Sequence, residues 1–137
     1  MGEVAYIALG SNLGDRARAL AMAREALRAL PDTRVIAETP VEETAPFGPP
    51  GPDPYLNQMV AVDTTLTPHE LLDRLHAIER AAGRVRRVRW GPRTLDLDIV
   101  RFGDRALADG RLVLPHPGLR DRDFWQRELA MLEGAHG

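Results

Sequence analysis

The 137-residue chain contains no cysteine and no lysine. The absence of cysteine excludes disulfides, thiolate zinc sites and cysteine nucleophiles, and it is compatible with a reducing compartment. The absence of lysine excludes any phosphate-binding loop that depends on a lysine. A polyanion site would therefore have to be built from the 18 arginines, whose guanidinium groups bind phosphate in a forked, bidentate way.

Long apolar runs and aromatic residues are also scarce. No stretch approaches the roughly 20 apolar residues of a membrane span, and the first residues lack the character of a signal peptide. Aromatic residues make up 5% of the chain and the formal net charge is -2, so we expect no stacking platform and no overall attraction for nucleic acid. These features predict a cytoplasmic protein that binds neither membrane nor nucleic acid, with a single domain over residues 1–137.

Hydrophobic periodicity predicts an α+β domain. Four strands are expected, over residues 4–9, 34–41, 57–65 and 95–102, with a short fifth over residues 112–114. Helical spacing predicts helices over residues 15–30 and from Thr67, where Thr-Pro-His-Glu is a capping box with proline at the first helical position. The order β-α-β-β-α-β is ferredoxin-like, an antiparallel sheet with helices on one face. Residues 134–137 are expected to fray.

A proline-rich segment interrupts this pattern, with five prolines between residues 45 and 54. Proline fixes φ and lacks an amide hydrogen, so neither a helix nor a central strand is expected there. The segment reads equally well as a linker or as a binding loop. A long loop inside a compact domain is uncommon unless it is functional, so a binding loop remains one of the two interpretations.

The sharpest local pattern is the pair Asp96 and Asp98. Side chains alternate along a strand, so both carboxylates share one face while the leucines and the isoleucine around them enter the core. Carboxylates about 7 Å apart along a strand are able to hold hard cations, and paired magnesium ions serve phosphoryl transfer. Taken alone, however, the run favours a strand with an acidic outer face.

Five arginines directly before this pair favour a metal site over a merely acidic strand face. They are Arg84, Arg86, Arg87, Arg89 and Arg93. Their mutual repulsion would be relieved by a bound polyphosphate. A solvated basic face or a patch for RNA are the alternatives. A basic run that adjoins a metal-type carboxylate pair fits a nucleoside triphosphate with a metal ion better.

The same region resembles a known family. GRVR at residues 83–86 and RWGPRTLDLDI at residues 89–99 are similar to the signature of the 6-hydroxymethyl-7,8-dihydropterin pyrophosphokinases of folate biosynthesis. The likeness continues at residues 8–15, 44–48, 55–57 and 115–124, in the family's order. The resemblance implies a monomeric, ferredoxin-like enzyme that transfers pyrophosphate from ATP to 6-hydroxymethyl-7,8-dihydropterin and releases AMP.

The resemblance also implies roles for individual residues. Asp96 and Asp98 would bind two Mg²⁺ ions that bridge the ATP phosphates, and the catalytic set would be Arg84, Arg93, Asp96 and Asp98. The ATP-binding set would be Glu79, Arg84, Trp90, Arg93, Arg111, His116 and Arg122. The pterin-binding set would be Thr44, Ala45, Pro46, Phe47, Gly48, Tyr55, Asn57 and Phe124, with the two aromatic rings sandwiching the pterin. The proline-rich and arginine-rich loops would lie over the active site.

Several alternatives remain at this stage. Tyr55 and Phe124 are also explained as core aromatics, and Glu79 as a surface ion-pair partner. An RNA-binding domain and a two-metal kinase with another acceptor are the competing functions. Release of AMP rather than ADP separates pyrophosphoryl transfer from ordinary kinase chemistry.

Overall fold

A computed structural model describes residues 2–12, 14–44, 54–83 and 95–136. The predicted site residues Ala45, Pro46, Phe47, Gly48, Arg84, Trp90 and Arg93 lie outside the described residues. The elements are, in chain order, β1 (Glu3–Ser11), α1 (Arg16–Arg28), β2 (Thr33–Glu38), β3 (Glu42–Thr44), β4 (Tyr55–Thr64), α2 (Pro68–Ala81), β5 (Asp96–Phe102), β6 (Leu107–Ala108), β7 (Val113–Leu114), a short 3-10 helix (Pro117–Arg120) and α3 (Asp123–His136).

The main sheet is antiparallel throughout, with strand order β2-β4-β1-β5 and with β3 also paired to β4. The single strand predicted over residues 34–41 is wrong, because the chain forms β2 and β3 with a break between them. Pro40 lies in that break and has no amide hydrogen to donate to a ladder. With β2 and β3 counted together, the chain order is compatible with a ferredoxin-like fold.

The two predicted helices pack on one face of the sheet, as expected, and a third helix that the sequence analysis did not predict covers the other face. Helices α1 and α2 pack on the face that carries Ile7, Leu9 and Val60. Helix α3 buries Trp125, Leu129 and Leu132 against Tyr6, Ala8, Met59 and Ala61 on the opposite face. The prediction that residues 134–137 fray is wrong for residues 134–136, since α3 extends to His136. The site predicted on Asp96 and Asp98 thus faces the α3 side.

Two further details differ from the expectation. A register shift between β1 and β5 pairs Tyr6 with Arg101 and Ile7 with Ile99, which leaves Val100 as an extra residue. The predicted fifth strand is shorter, and it pairs with β6 in a separate hairpin instead of joining the main sheet. Among the described helices, none is long and apolar enough to span a bilayer.

Helix α2 begins as predicted. The Thr67 side chain accepts a hydrogen bond from the backbone amide of Glu70, whose carboxylate accepts one from the backbone amide of Thr67. Such a cap is worth about 1 kcal/mol. Gly83 follows the helix with φ of 82°, a left-handed conformation that glycine adopts without steric cost. The fixed start of α2 sets the register of its later turns, which reach β5.

Candidate active site

One row of residues runs across four strands on the α3 face of the sheet. Asp96 on β5 pairs with Gly10 on β1, Gly10 pairs with Asn57 on β4, and Asn57 pairs with Glu42 on β3. Gly10 contributes no side chain, so the sheet has a bare floor between Asp96 and Asn57. A methyl group at Gly10 would lie 3.4 Å from Asn57 Oδ1 and 3.5 Å from Tyr55 Cδ1.

The Asn57 amide has a defined orientation over this floor. Its Nδ2 donates a hydrogen bond to the Thr44 hydroxyl, which leaves Oδ1 on the side of Gly10. Asn57 is only 7% exposed, and in this orientation its Nδ2 is the group that binds Thr44. An acceptor oxygen beside the Tyr55 ring suits a flat ligand that carries N–H donors on its edge.

Glu79 fixes the position of β5 relative to α2. Its side chain is 5% exposed, and Oε2 accepts a hydrogen bond of 2.8 Å from the backbone amide of Leu97. Because β5 is an edge strand, α2 supplies the acceptor that a neighbouring strand would supply elsewhere. The alternative of Glu79 as a surface residue is therefore wrong, and the amide it binds lies between the two aspartates.

His116 lies beside Asp98. Its Nδ1 accepts a hydrogen bond of 2.9 Å from the backbone amide of Gly118, so Nε2 carries the proton of the neutral ring. That nitrogen is 3.6 Å from Asp98 Oδ1, and the ring meets Trp125 edge-on at 4.9 Å. The imidazole thus points a donor at the carboxylate, which is 42% exposed.

Arg122 and Phe124 lie near the start of α3. The guanidinium of Arg122 is 4.3 Å from the centroid of the Trp125 ring, a cation–π contact, and Phe124 lies 6.3 Å from the same ring. Phe124 and Tyr55 are both half-buried, and Phe124 packs against the edge of the core beneath α3. Their predicted sandwich around a ring stays a prediction.

A cleft of about 290 Å³ connects α2, β5 and the β6–β7 hairpin. It brings together five residues that the sequence predicted, namely Glu79, Asp96, Asp98, Arg111 and His116. It also includes His76, which the sequence analysis missed. The signal was present, because His76 precedes Glu79 by three residues and therefore shares its face of α2.

Two hydrogen bonds hold Arg111 at this cleft, one to α2 and one to the turn between β6 and β7. Its Nη2 donates to Asp73 Oδ1 at 2.5 Å, and its backbone amide donates to Asp109 Oδ1 at 2.8 Å. The hydrogen bond from Arg111 lowers the pKa of Asp73, while the backbone amides of Arg111 and Leu112 lower the pKa of Asp109. Asp109 also lies 2.8 Å from His69 on α2. These contacts hold Arg111 near the cleft.

The carboxylate pair suits a magnesium ion that is shared with phosphate. Asp96 and Asp98 are partly exposed and offer hard oxygen donors. Among residues 2–12, 14–44, 54–83 and 95–136, no group of three or more acidic or histidine side chains is arranged to hold a metal. Magnesium commonly binds through one or two carboxylates together with substrate phosphates, so the donor set fits.

Glu128 on α3 is a buried acid that the sequence analysis did not single out. Its side chain is fully buried, and neither oxygen has a hydrogen-bond partner among the described residues. Burial and the neighbouring Glu42 carboxyl raise the pKa of Glu128 to about 8. Glu128 is consequently protonated at neutral pH.

Comparison with known proteins places the chain among pterin enzymes. The profile of the 7,8-dihydro-6-hydroxymethylpterin-pyrophosphokinase family matches residues 6–134. The 2-amino-4-hydroxy-6-hydroxymethyldihydropteridine pyrophosphokinase of Methylorubrum extorquens is 49% identical over 120 residues, which cover 88% of this chain and 76% of the relative. Proteins of that name from Pseudomonas aeruginosa and Bacillus subtilis are 46% and 42% identical, covering 93% and 95% of this chain and 78% of each relative.

Proposed function

The chain belongs to the 7,8-dihydro-6-hydroxymethylpterin-pyrophosphokinase family, and from that membership we propose how its described residues serve the reaction. The enzyme transfers the pyrophosphoryl group of ATP to hydroxymethyldihydropterin in folate biosynthesis. The observation that carries the site assignment is the row from Asp96 through the bare Gly10 to Asn57, in which an amide acceptor and a carboxylate pair lie on either side of a strand position without a side chain.

The pterin would lie over Gly10, with its N–H edge towards Asn57 Oδ1 and its ring near Tyr55. Thr44 supports this contact because it binds the amide nitrogen of Asn57 and leaves the oxygen for the ligand. Phe124 would cover the opposite face of the ring. The acceptor hydroxymethyl group would then extend along the row towards Asp96.

ATP would bind in the cleft on the other side of the carboxylate pair. Arg111 and His116 would meet its negative charge, and Arg122 would assist from the start of α3. Glu79 supports the site through the Leu97 amide, which holds β5 in place. Arg84, Trp90 and Arg93 enter the proposal through the family resemblance, since they lie outside the described residues.

Asp96 and Asp98 would hold Mg²⁺ on their shared strand face, and the number of two ions is what the family resemblance implies. Bound there, Mg²⁺ supplies neutralisation of the phosphate charge. The hydroxymethyl oxygen forms a bond to the β-phosphorus and releases its proton to water, the bond from that phosphorus to the α–β bridging oxygen breaks, and AMP leaves with the bonding electrons. Such transfers depend mainly on alignment and charge stabilisation. We assign no general base.

The proposed reaction is tested by its nucleotide product. Incubation with ATP, magnesium and hydroxymethyldihydropterin should give AMP in amounts equal to the pterin pyrophosphate formed. Chromatography of the nucleotides distinguishes the outcomes. ADP as the product would indicate a kinase that transfers a single phosphoryl group, and no product at all would contradict the proposed function.

We expect Asn57→Ala and Tyr55→Ala to weaken pterin binding far more than ATP binding. Loss of stacking on an aromatic ring costs about 1–3 kcal/mol in the comparable case of nucleobases. An unmatched polar group on the bound ligand costs about 1–3 kcal/mol as well. Calorimetric titration of each variant with pterin and with an ATP analogue measures both affinities. Equal losses for the two ligands would indicate general damage and contradict the assignment.

Gly10→Val should block the pterin floor without removing the strand. A branched side chain at Gly10 would occupy the space in front of Asn57 Oδ1 and the Tyr55 ring, while valine is well suited to a strand. We expect the KM for pterin to rise by about tenfold or more, equivalent to about 1.4 kcal/mol. Gly10→Ala is the matched control with a smaller effect, because its methyl group makes ordinary contacts. An unchanged KM for pterin in Gly10→Val would exclude this floor.

A further inference from the structure

Two acidic side chains meet beneath α3, where a surface helix normally buries apolar groups. Glu128 is fully buried, and the Glu42 carboxyl lies against it. Glu42 Oε1 is also buried and has no hydrogen-bond partner among the described residues, although Arg127 Nη1 lies 3.5 Å away. Arg127 is the cation beside Glu42, whereas Glu128 has no donor among the described residues, so a proton between the two carboxyl groups is the simplest way to satisfy Glu128.

This carboxyl pair joins the two elements that carry the proposed pterin site. Glu42 lies on β3 opposite Asn57, and Thr44, two residues later on the same strand face, binds the Asn57 amide. On α3, Phe124 precedes Glu128 by four residues, which places both on one side of the helix. The pair therefore lies between the wall that holds Asn57 and the helix that holds Phe124.

We propose that Glu42 and Glu128 are positioning residues for pterin binding, which hold α3 against β3 by sharing one proton. This inference rests on the proposed function. While the proton is shared, α3 stays against β3 and keeps Phe124 at its working distance from Asn57. When the proton is lost, the fully buried Glu128 carboxylate faces the Glu42 carboxylate, whose side chain is one-third exposed, and their repulsion moves the helix away from the strand.

Among residues 2–12, 14–44, 54–83 and 95–136, no other group beside Glu128 supplies the proton. Its charged neighbours in these ranges are Glu42 on β3 and Arg127 on α3 itself. Residues from the sheet that pack against α3 and do not titrate at neutral pH are Ile36, Ala37, Ala8, Met59, Ala61 and Val100. Arg101 contacts Glu133 and the Tyr6 ring farther along the helix, and His116 meets Trp125 in its first turn.

The pH range of the effect follows from the chemistry of the buried acid. Burial and Glu42 raise the pKa of Glu128 to about 8, so the shared proton is present at pH 7 and mostly absent at pH 9. If only the protonated form binds pterin well, about one-tenth of the protein is competent at pH 9, and the apparent KM rises about tenfold. ATP, which binds at the cleft, should not sense this change.

The experiment measures kcat and both KM values from pH 6.5 to 9.5 for the wild type, Glu128→Gln, Glu42→Gln and Glu133→Gln. In the wild type, we expect the KM for pterin to rise about tenfold between pH 7 and 9, while the KM for ATP changes by less than about twofold. Glu128→Gln keeps a donor and cannot ionise, so its pterin KM should stay nearly flat, and Glu42→Gln should also reduce the rise. Glu133→Gln, an exposed acid on the same helix, should follow the wild type.

The outcomes separate the two levels of the proposal. AMP formation with the same pterin pH profile in the wild type and Glu128→Gln would overturn the role of the carboxyl pair and leave the proposed function intact. An equal rise in the KM for ATP would also overturn it, since the effect would not be specific to the pterin site. No AMP formation by the wild type at any pH would contradict the proposed function itself, and the positioning role with it.

Discussion

Replacing Asp96 or Asp98 by alanine is expected to lower the rate of AMP formation by roughly a hundredfold or more. The reason is charge, because the transferred pyrophosphoryl group and its leaving group carry several negative charges that need to be neutralised in one place. The two carboxylates share a strand face beside the cleft. Asp98 Oδ1 lies 3.6 Å from His116 Nε2. We expect the loss to appear mainly in kcat.

Both variants should remain folded. The two side chains are partly exposed on an edge strand, and surface substitutions away from buried networks usually change stability by about 0.5 kcal/mol or less. Circular dichroism and thermal melting, measured beside AMP formation, check this. Asp104→Ala, in the exposed turn after β5, is the control for loss of one negative charge. Near-normal turnover in both Asp96→Ala and Asp98→Ala would contradict the metal assignment.

Local patterns with strong physical causes were predictable from the sequence. The capping box at Thr67 and the alternation of Asp96 and Asp98 are confirmed, because each depends on residues close together in the chain. The break between β2 and β3 was missed although Pro40 marks it, because the strand was extended through the proline on hydrophobicity alone. Glu79 was predicted near the nucleotide, yet its hydrogen bond to Leu97 is a tertiary contact that no local pattern reveals.

Helix α3 could not be predicted for a different reason. Its buried stripe contains Glu128 among Trp125, Leu129 and Leu132, and a carboxyl group in that place breaks the apolar periodicity that identifies a packed helix. Only the fold brings Glu42 beside Glu128, and this contact together with burial explains why Glu128 is protonated. The bare floor at Gly10 was missed likewise, because its importance depends on neighbours from other strands.

Glu128→Gln is expected to stabilise the protein, by an amount that grows as the pH rises from about 5 to 8. Glu128 has an ordinary pKa of 4.5 in the unfolded chain and a pKa of about 8 in the folded protein. The folded state therefore keeps a proton that the unfolded chain releases, and unfolding becomes more favourable as the pH rises between these values. Stability linked to this group is fully present below pH 4.5 and is lost as the pH rises through about 8.

The expected size is large for one side chain. Each pKa unit of difference corresponds to about 1.4 kcal/mol, so the unfolding free energy of the wild type should fall by about 3 kcal/mol relative to Glu128→Gln between pH 5 and 8. Glutamine has nearly the same shape and donates to Glu42 without ionising, so it removes the pH-dependent cost without leaving a cavity. Subtracting the two proteins' free energies cancels the titration of the other acids.

Urea unfolding of the wild type, Glu128→Gln and Glu133→Gln at pH 5, 6, 7 and 8 measures this difference. Glu133→Gln should run parallel to the wild type, because Glu133 is about half exposed and pairs with Arg101 at the surface. The difference between Glu128→Gln and the wild type should widen steadily with pH, with the same dependence on urea concentration in both proteins. A difference that stays constant from pH 5 to 8 would mean that Glu128 ionises normally in the folded protein, and the shared proton beneath α3 would have to be abandoned.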